Sequence, residues 1–430
     1  MNIEKPSLYN RYIHIDGKYF VYNLLSRAIV ELDNKTDLTA LQQSDLEHFD
    51  ENTIQGFRTC RIIIRNDFDE SMHILRLQRI IKYGNKNVRL TILPTLNCNF
   101  NCWYCYEKHT PNFMREQEVN ILEKFGKNLL TKNRLNQFTT DWFGGEPMLY
   151  FNSVIVPLSN KIQKLCEQHS VPFFNMITTN GALFNAKHLD SLKEIQLKKY
   201  QITLDGGKQA HNQTRYSLKY KDSYSLIINN ILLLVENIPN IDMTVRINCT
   251  KENVETIPEI INSFPNEIRN KININIQPIW QQIEVLKDFS QRVGVITKNF
   301  VDAGFSVPSY TTLPTTPNLC YVENMLHYTI GPDLEVYKCT ARDFTKKSQN
   351  HIGHITEEGS FNSNDNIVLY YKNSAFENKK CLKCELLPVC RVSCIQKNIE
   401  KMPIECQKEE LGVGIDEIIK RIIKKRLTII

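Results

Sequence analysis

No stretch of the 430 residues approaches the roughly 18 consecutive apolar positions that a membrane-spanning helix requires. The first residues, Met1-Asn-Ile-Glu-Lys-Pro6, also lack the charged-then-apolar pattern of a secretory signal. A large excess of one charge is also missing: 53 Lys and Arg against 47 Asp and Glu leave a net of +6. Nor is there a dense Lys/Arg patch interleaved with aromatics, so nucleic acid is not expected as a partner. These absences point away from a membrane or nucleic-acid-binding protein and toward a cytoplasmic one. A hydrophobic content of 42% is that of a globular chain with a sizeable core, and the length has room for two or three domains.

Cysteine, by contrast, is plentiful. Thirteen cysteines in a chain without a secretory signal argue for metal rather than disulfides. Three of them, Cys98, Cys102 and Cys105, stand at a Cys-x3-Cys-x2-Cys spacing directly after the apolar run Val88–Leu93. Soft thiolates select iron–sulfur clusters or zinc. Three thiolates on one irregular turn hold three irons of a [4Fe–4S] cube and leave the fourth iron open to a small molecule. The plainer alternative is zinc, or three cysteines that are simply buried.

From Val88 to about Gly304, β-rich apolar runs alternate with helical stretches. The expected strands are Val88–Leu93, Gln137–Phe143, Phe173–Thr178, Lys199–Leu204, Met243–Cys249 and Ile272–Pro278. Helices are expected over Glu116–Leu130, Val154–Glu167, Leu189–Leu197, Ser225–Glu236 and Thr256–Ser263. This alternation implies right-handed βαβ units and a parallel sheet, with active residues at the C-terminal strand ends. Before it, Tyr12–Ile15 and Tyr19–Tyr22 flank the turn pair Asp16-Gly17, a hairpin signal, with a third strand over Ala28–Leu32. Helical periodicity follows in Asp45–Thr59 and in Ser71–Tyr83, where Met72, Leu75, Ile80 and Ile81 mark the apolar stripe. After the alternating region, Ser306–Asn318 reads as a proline-rich linker. The tail Ile415–Leu427 is a basic amphipathic helix, which more often packs on its own protein than on a membrane.

Further motifs fall at the expected strand ends. The second strand runs into Gly144-Gly145-Glu146-Pro147, where paired glycines let backbone approach a ligand and a carboxylate can accept from an ammonium. The third ends in Thr178-Thr-Asn-Gly181. The fourth ends in Thr203-Leu-Asp205-Gly206 and continues to His211-Asn212-Gln-Thr-Arg215. A hydroxyl and a guanidinium, Thr203 and Arg215, suit a carboxylate or ribose; the plainer alternative is a structural ion pair between Asp205 and Arg215. Arg246 and Asn248 on the fifth strand are weaker candidates. Toward the C-terminus come Cys320, Cys339 and the block Cys381-x2-Cys384-x5-Cys390-x3-Cys394, then Cys406. Seven cysteines are too many for one zinc and suit two clusters. Cys60, Cys166 and Cys249 sit in apolar surroundings and read as small buried hydrophobes.

Taken in order over roughly residues 88–406, these stretches resemble the radical SAM enzymes that carry a C-terminal SPASM domain. The resemblance implies an α/β fold: a partial (β/α)6 TIM-like barrel with a small N-terminal α+β domain and a C-terminal cysteine-rich iron–sulfur domain. The expected domains are 1–86, similar to winged-helix peptide-recognition units, the barrel at 87–305, SPASM at 306–410 and a terminal helix at 411–430. Cys98, Cys102 and Cys105 would hold the cluster that binds S-adenosylmethionine (SAM) and drives its cleavage to a 5′-deoxyadenosyl radical. Tyr104, Gly144, Gly145, Glu146, Thr203 and Arg215 would contact SAM. By the same resemblance Cys320, Cys339 and Cys394 would ligate one auxiliary [4Fe–4S] cluster, and Cys381, Cys384, Cys390 and Cys406 another. The pattern departs from the family in Asn212, which lacks a carboxylate, and in Leu334, where a glycine is usual. No catalytic base is identified. The implied function is maturation of a ribosomally made peptide by a thioether or carbon–carbon crosslink, with flavodoxin or ferredoxin as reductant. An anaerobic sulfatase maturase has the same layout, but usually with aspartate where this chain has Thr340. A non-catalytic peptide-binding cluster scaffold is the alternative of another class.

Overall fold

The computed structural model describes residues 3–279, 282, 289–372, 378–390, 394–402, 406 and 414–427. The chain forms two compact units: Met1–Gly84 with Ser309–Glu323 and Asn373–Ile430, and Asn85–Pro308 with Asn324–Lys372.

In the first unit, β1 (Glu4–Pro6) pairs antiparallel with β5 (Ile63–Arg65), while β2 (Asn10–Ile15), β3 (Lys18–Asn23) and β4 (Ile29–Leu32) form a separate meander in that order. The β2–β3 turn places Asp16 at φ 50° and Gly17 at φ 80°, the paired left-handed residues of a type I′ hairpin. Helix α1 (Lys35–Gln42) starts at Asn34, whose side chain accepts from the N–H groups of Thr36 and Asp37. The sequence pattern did not anticipate this helix. The stretch expected as one helix over Asp45–Thr59 is a 3₁₀ turn, Leu46–His48, followed by α2 (Glu51–Thr59) capped by Asp50.

Helix α3 (Glu70–Gly84) corrects the expected stripe. It buries Glu70, Ile74, Leu75, Gln78 and Lys82, whereas Met72, Ile80 and Ile81 are exposed. The inner face carries polar residues beside Ile74 and Leu75 because those residues have polar partners. Glu70 accepts from the Ser7 hydroxyl and the Leu8 N–H, and Gln78 donates to Glu323 (3.3 Å). A periodicity search for apolar residues therefore picks the wrong phase.

Both faces of the meander are covered. Val21 and Leu32 pack with Leu41, Ile54 and Phe57. On the other side Ile13, Phe20 and Tyr22 share a core with Leu386, Leu387, Ile415, Ile419 and Ile423, against which Cys381 and Cys384 also pack. The C-terminal helix Ile415–Leu427 thus spends its apolar face on its own protein. Arg11 ties it to β2, donating from Nε and Nη2 to the two Asp416 carboxylate oxygens, each at 2.8 Å.

The second unit contains the six expected strands: β6 (Asn87–Ile92), β7 (Gln137–Trp142), β8 (Phe173–Thr179), β9 (Leu197–Leu204), β10 (Asp242–Cys249) and β11 (Ile272–Pro278). All are parallel and lie side by side in chain order. Helices α4 (Glu116–Lys132), α5 (Val156–Gln168), α6 (Leu189–Glu194), α7 (Lys208–Thr214) and α8 (Ser223–Asn237) connect them. Before β11 the helix expected over Thr256–Ser263 is a 3₁₀ run, Val254–Ser263, with Pro258 inside it denying a backbone donor, and a single α-turn, Asn266–Arg269, follows.

Alternation along the strands separates two faces. Leu90, Ile92, Phe138, Trp142, Ile177, Ile202, Leu204, Val245, Ile247, Ile272 and Ile274 are buried on one. The register aligns Arg89, Thr91, Asp141, Gln201, Thr203, Arg246, Asn248, Asn275 and Gln277 on the other. That second face is a polar lumen.

Beyond β6 the sheet continues through β12 (His327–Ile330), parallel to β6, and then antiparallel through β13 (Glu335–Tyr337), β14 (His351–Ile355) and β15 (Phe361–Ser363). Leu334, in the β12–β13 turn, adopts φ 63°, so a leucine occupies the left-handed conformation that usually takes glycine. The hairpin forms regardless, with Gly331 N–H on the Glu335 carbonyl and Leu334 N–H on that of Gly331. The expected linker Ser306–Asn318 is partly structured: Ser306 bridges to Asn273 beside β11, and Pro308–Thr311 is a helical turn. Among the described residues no helix is long and apolar enough to cross a membrane.

Candidate functional site

The loop that follows β6 carries Cys98 and Cys102, half-buried, and Cys105, exposed. A bridge between Thr95 and Phe113 closes its base, and the Thr95 hydroxyl donates to the Asn112 carbonyl (2.7 Å). Inside it, Cys105 N–H donates to the Cys102 carbonyl (3.0 Å) and Phe100 N–H to Cys98 Sγ (3.4 Å). Burial, and then the Glu146 carboxylate, push the Cys98 thiol up to about 12; the Cys105 residue is exposed, but desolvation of its sulfur, and then Glu107, push that thiol up to about 11. Thiolates here need a cation to form, and binding one releases protons. Among the described residues no three Cys, His, Asp or Glu side chains converge on a single metal ion.

The Gly-Gly-Glu segment at the end of β7 is stitched to this loop. Glu146 N–H donates to the Asn97 carbonyl (2.8 Å) and Gly145 N–H to Glu107 Oε2 (2.7 Å). Gly144 and Gly145 have φ 77° and 44°; a Cβ on Gly145 would run into the Asn97 carbonyl, and one on Gly144 into the Leu93 side chain. The glycines thus let backbone lie against backbone. Glu146 is fully buried and already committed within the protein: it accepts from the Thr179 hydroxyl (2.7 Å), Asn180 N–H (2.8 Å) and Met148 N–H (3.0 Å). Burial raises its pKa against those donors. Glu107 is a participant that sequence reasoning missed; its one signal is its place two residues after Cys105. Burial pushes its carboxyl up to about 7.

Tyr104 joins the loop to the ends of β9 and β10. Its hydroxyl donates to Asp205 Oδ2 (2.7 Å) and accepts from Arg215 Nη1 (2.8 Å) and Asn248 Nδ2 (3.0 Å). The Asp205–Arg215 pair, the plainer alternative for these two residues, is present at 3.9 Å, bridged by this phenol, and Arg215 also lies over the Phe100 ring. Burial raises the Asp205 pKa despite the neighbouring guanidinium. His211 accepts the Asp205 N–H on Nδ1 (3.3 Å), and burial holds it well below the usual histidine range. Asn212, the departure noted in the sequence, uses both halves of its amide: it donates to Asp222 and accepts from Ser223 and Tyr224 at the start of α8. A carboxylate could not donate to Asp222. Thr203 is buried in β9, register partner of Arg246 on β10.

The structure thus brings Tyr104, Gly144, Gly145, Glu146, Arg215, Asp205 and Asn248 around the three-cysteine loop. Asn99 Nδ2, Asp205 Oδ1 and Arg215 Nε are buried there without a hydrogen-bond partner among the described residues. Such orphaned donors and acceptors, next to three thiols on one loop, fit a cluster with a polar ligand on its open side. The seven later cysteines lie in both units. Cys339, just after β13, is buried, with its N–H on Asn350 Oδ1 (2.7 Å). In the first unit Cys384 N–H donates to the Cys381 carbonyl and Cys390 N–H to that of Leu386; Cys320 is half-buried, and Cys394 and Cys406 are exposed. Cys166 and Cys249 are buried, and Cys60 is half-buried against the Phe57 core, as small hydrophobes.

Residues 92–264 match the family model described as the Radical SAM superfamily. A radical SAM cyclopropyl synthase, TigE, of Paramaledivibacter caminithermalis is 20% identical over 422 residues, spanning 90% of this chain and 85% of that protein. A cysteine-type anaerobic sulfatase-maturating enzyme of Clostridium novyi is 25% identical over 352 residues, 74% of this chain and 90% of the relative. Among solved structures, native anSMEcpe with bound AdoMet superimposes with a TM-score of 0.58 at 18% identity, covering 79% of this chain and 98% of that one. The same protein with bound AdoMet and Cp18Cys peptide gives 0.57 at 17% identity, covering 80% and 98%.

Proposed function

The chain is a radical SAM enzyme, and from that premise we propose that it modifies a ribosomally made peptide in the cytoplasm, closing a thioether or carbon–carbon bond. The observation that carries the reading is the three-cysteine loop seated at the C-terminal ends of a parallel sheet whose inner face is polar. Bound there, a [4Fe–4S] cluster and SAM supply a hydrogen-abstracting radical. The chain's own residues do the positioning. Asn97 and Glu107 fix the glycine segment against the loop, and Tyr104, Asp205, Arg215 and Asn248 fix the loop against two strand ends. Enclosing the reaction in a lumen keeps water from a reactive intermediate.

We assign Cys320, Cys339 and Cys394 to one auxiliary cluster and Cys381, Cys384, Cys390 and Cys406 to a second, in a SPASM-type arrangement that accepts the electron left after bond formation. A flavodoxin or ferredoxin supplies the first electron. The N-terminal meander is suited to holding a leader segment by strand addition. In that meander β3 is bonded on both sides, so among the described residues the edges on offer are β2 and β4. Hydrogen exchange protection at β2 or β4 on adding the precursor peptide checks this, and unchanged exchange at both removes it.

Replacing Cys98, Cys102 and Cys105 together by Ala is expected to abolish 5′-deoxyadenosine formation from SAM under dithionite. A triple variant that still cleaves SAM reductively would sink the site assignment. The second reading, a sulfatase maturase, is favoured by the identity to the Clostridium novyi enzyme. An aldehyde probe separates the two: formylglycine in a cysteine-bearing sulfatase peptide supports the maturase, and a crosslinked product supports the first reading.

A further inference from the structure

Arg215, the cation expected to meet a ligand's carboxylate, is held by the protein itself. Its Nη1 donates to the Tyr104 hydroxyl, Asp205 lies 3.9 Å away, and Phe100 covers its face. Arg246, on the lumen face of β10, is placed differently. Its Nε donates to Asn248 Oδ1 (2.9 Å), and among the described residues no carboxylate forms an ion pair with it. Its register partners are Thr203 on β9 and Asn275 on β11, so a hydroxyl and an amide flank it at the same level. Asn275 gives its oxygen to Gln277 Nε2 (2.7 Å). Asp205 is the carboxylate that acts on Arg246 electrostatically, and it is already bonded to Tyr104 and paired with Arg215. Burial lowers the pKa of Arg246, the sign of a cation short of compensation. Buried charges in proteins are paired, and a guanidinium with both Nη groups uncommitted presents the fork that matches a carboxylate.

We infer that Arg246 is the carboxylate-binding residue of this site, holding the negative end of a ligand that lies in the polar lumen beside the three-cysteine loop. Two ligands bring that chemistry: the amino-acid carboxylate of SAM, or an acidic side chain or C-terminus of the peptide. The first source rests on the family of the chain, the second on the peptide-modifying reading proposed above. Asn248 links the two cations of the site, since its amide accepts from Arg246 and donates to the phenol that Arg215 also reaches. A carboxylate arriving at Arg246 is thereby sensed by the network that holds the cysteine loop.

The test is equilibrium dialysis of reconstituted wild-type and Arg246→Gln protein with four probes: SAM, decarboxylated SAM, N-acetyl-aspartyl-glycinamide and its asparaginyl counterpart. The variant is expected to lose about tenfold in affinity for one carboxylate-bearing probe, as for a lost charge-assisted pair, and little for the matching neutral probe. Loss on SAM names the cofactor as the source; loss on the aspartyl dipeptide names the substrate. Unchanged affinity for every probe, in a variant with wild-type iron content and circular dichroism, overturns the inference. Should the glutamine variant misfold, phenylglyoxal labelling of Arg246 in the wild-type protein, read by mass spectrometry, gives the answer directly. Protection by a carboxylate probe and not by its neutral counterpart supports the assignment, and labelling indifferent to all four removes it. SAM cleavage that persists alongside such indifference leaves the family assignment intact and discards this inference alone.

Discussion

Tyr104 shows how one hydroxyl can hold a site together. It satisfies a carboxylate, a guanidinium and an amide at once, all of them buried or nearly so. Tyr104→Phe keeps the ring and strands those partners, so a loss of about 2 kcal/mol is expected, the usual cost of leaving a buried polar group unsatisfied. Chemical denaturation of the reconstituted protein measures it, and a change within error would show that water replaces the phenol. Gly145 is a stricter case, because its neighbour is backbone and cannot rotate away. Gly145→Ala is expected to displace the cysteine loop and lower bound iron at the barrel site, which iron analysis after reconstitution reports. Full iron retention would mean that the Asn97–Gly145 contact is dispensable. The sequence marked both residues as cofactor contacts; the structure shows each of them first as a brace within the protein.

At the level of elements, α8 illustrates a helix start built from distant side chains. Asp222 accepts from Ser225 N–H and from Asn212 and is paired with Lys208 at 2.7 Å. The Lys208 bond foremost holds the Asp222 carboxyl well below the usual carboxylate range. A depressed folded-state pKa adds stability that is present above the unfolded value of about 3.9 and is lost as pH falls toward the folded one. Amides in the first turn of α8 are therefore expected to exchange faster, relative to the rest of the unit, below about pH 4. Asp222→Asn should flatten that pH dependence; an unaltered profile would assign it to another group. The stripe on α3 failed for an allied reason. Buried polar partners, Glu70 with Ser7 and Gln78 with Glu323, made the inner face the less hydrophobic one.

For the whole molecule, the decisive quantity is how much iron it carries and what each portion does. Three cubane clusters predict iron and sulfide near about twelve each per chain. If Cys381 and Cys384 serve the second auxiliary cluster proposed above, changing both to Ala is expected to spare much of the SAM cleavage while stopping product formation, since the proposed acceptor for the substrate's electron is lost. Both cysteines pack against the core of Tyr9, Ile13 and Leu387, so loss of fold must be separated from loss of relay. Circular dichroism and iron retained at the barrel site make that separation. A folded double variant that still gives crosslinked peptide at normal yield would make the second auxiliary cluster structural.

What the chain determined locally was the order of the barrel elements, because strands with one apolar face alternate with amphipathic helices and those patterns are short-range; the run before β11, 3₁₀ rather than α, was the exception. The cysteine spacings and the Gly-Gly-Glu-Pro turn were legible for the same reason: each is a local device with few other uses. Tertiary structure alone decided the rest. That Glu107 would meet Gly145, that Tyr104 would join Asp205 to Asn248, and that β12 would extend the sheet beside β6 all depend on residues far apart in sequence. It also decided that the N-terminal meander shares a core with the C-terminal helix, Ile13 and Phe20 meeting Ile419 and Ile423. Hydrophobic burial is non-directional, so an apolar face declares that it will be covered and leaves the choice of partner to the fold.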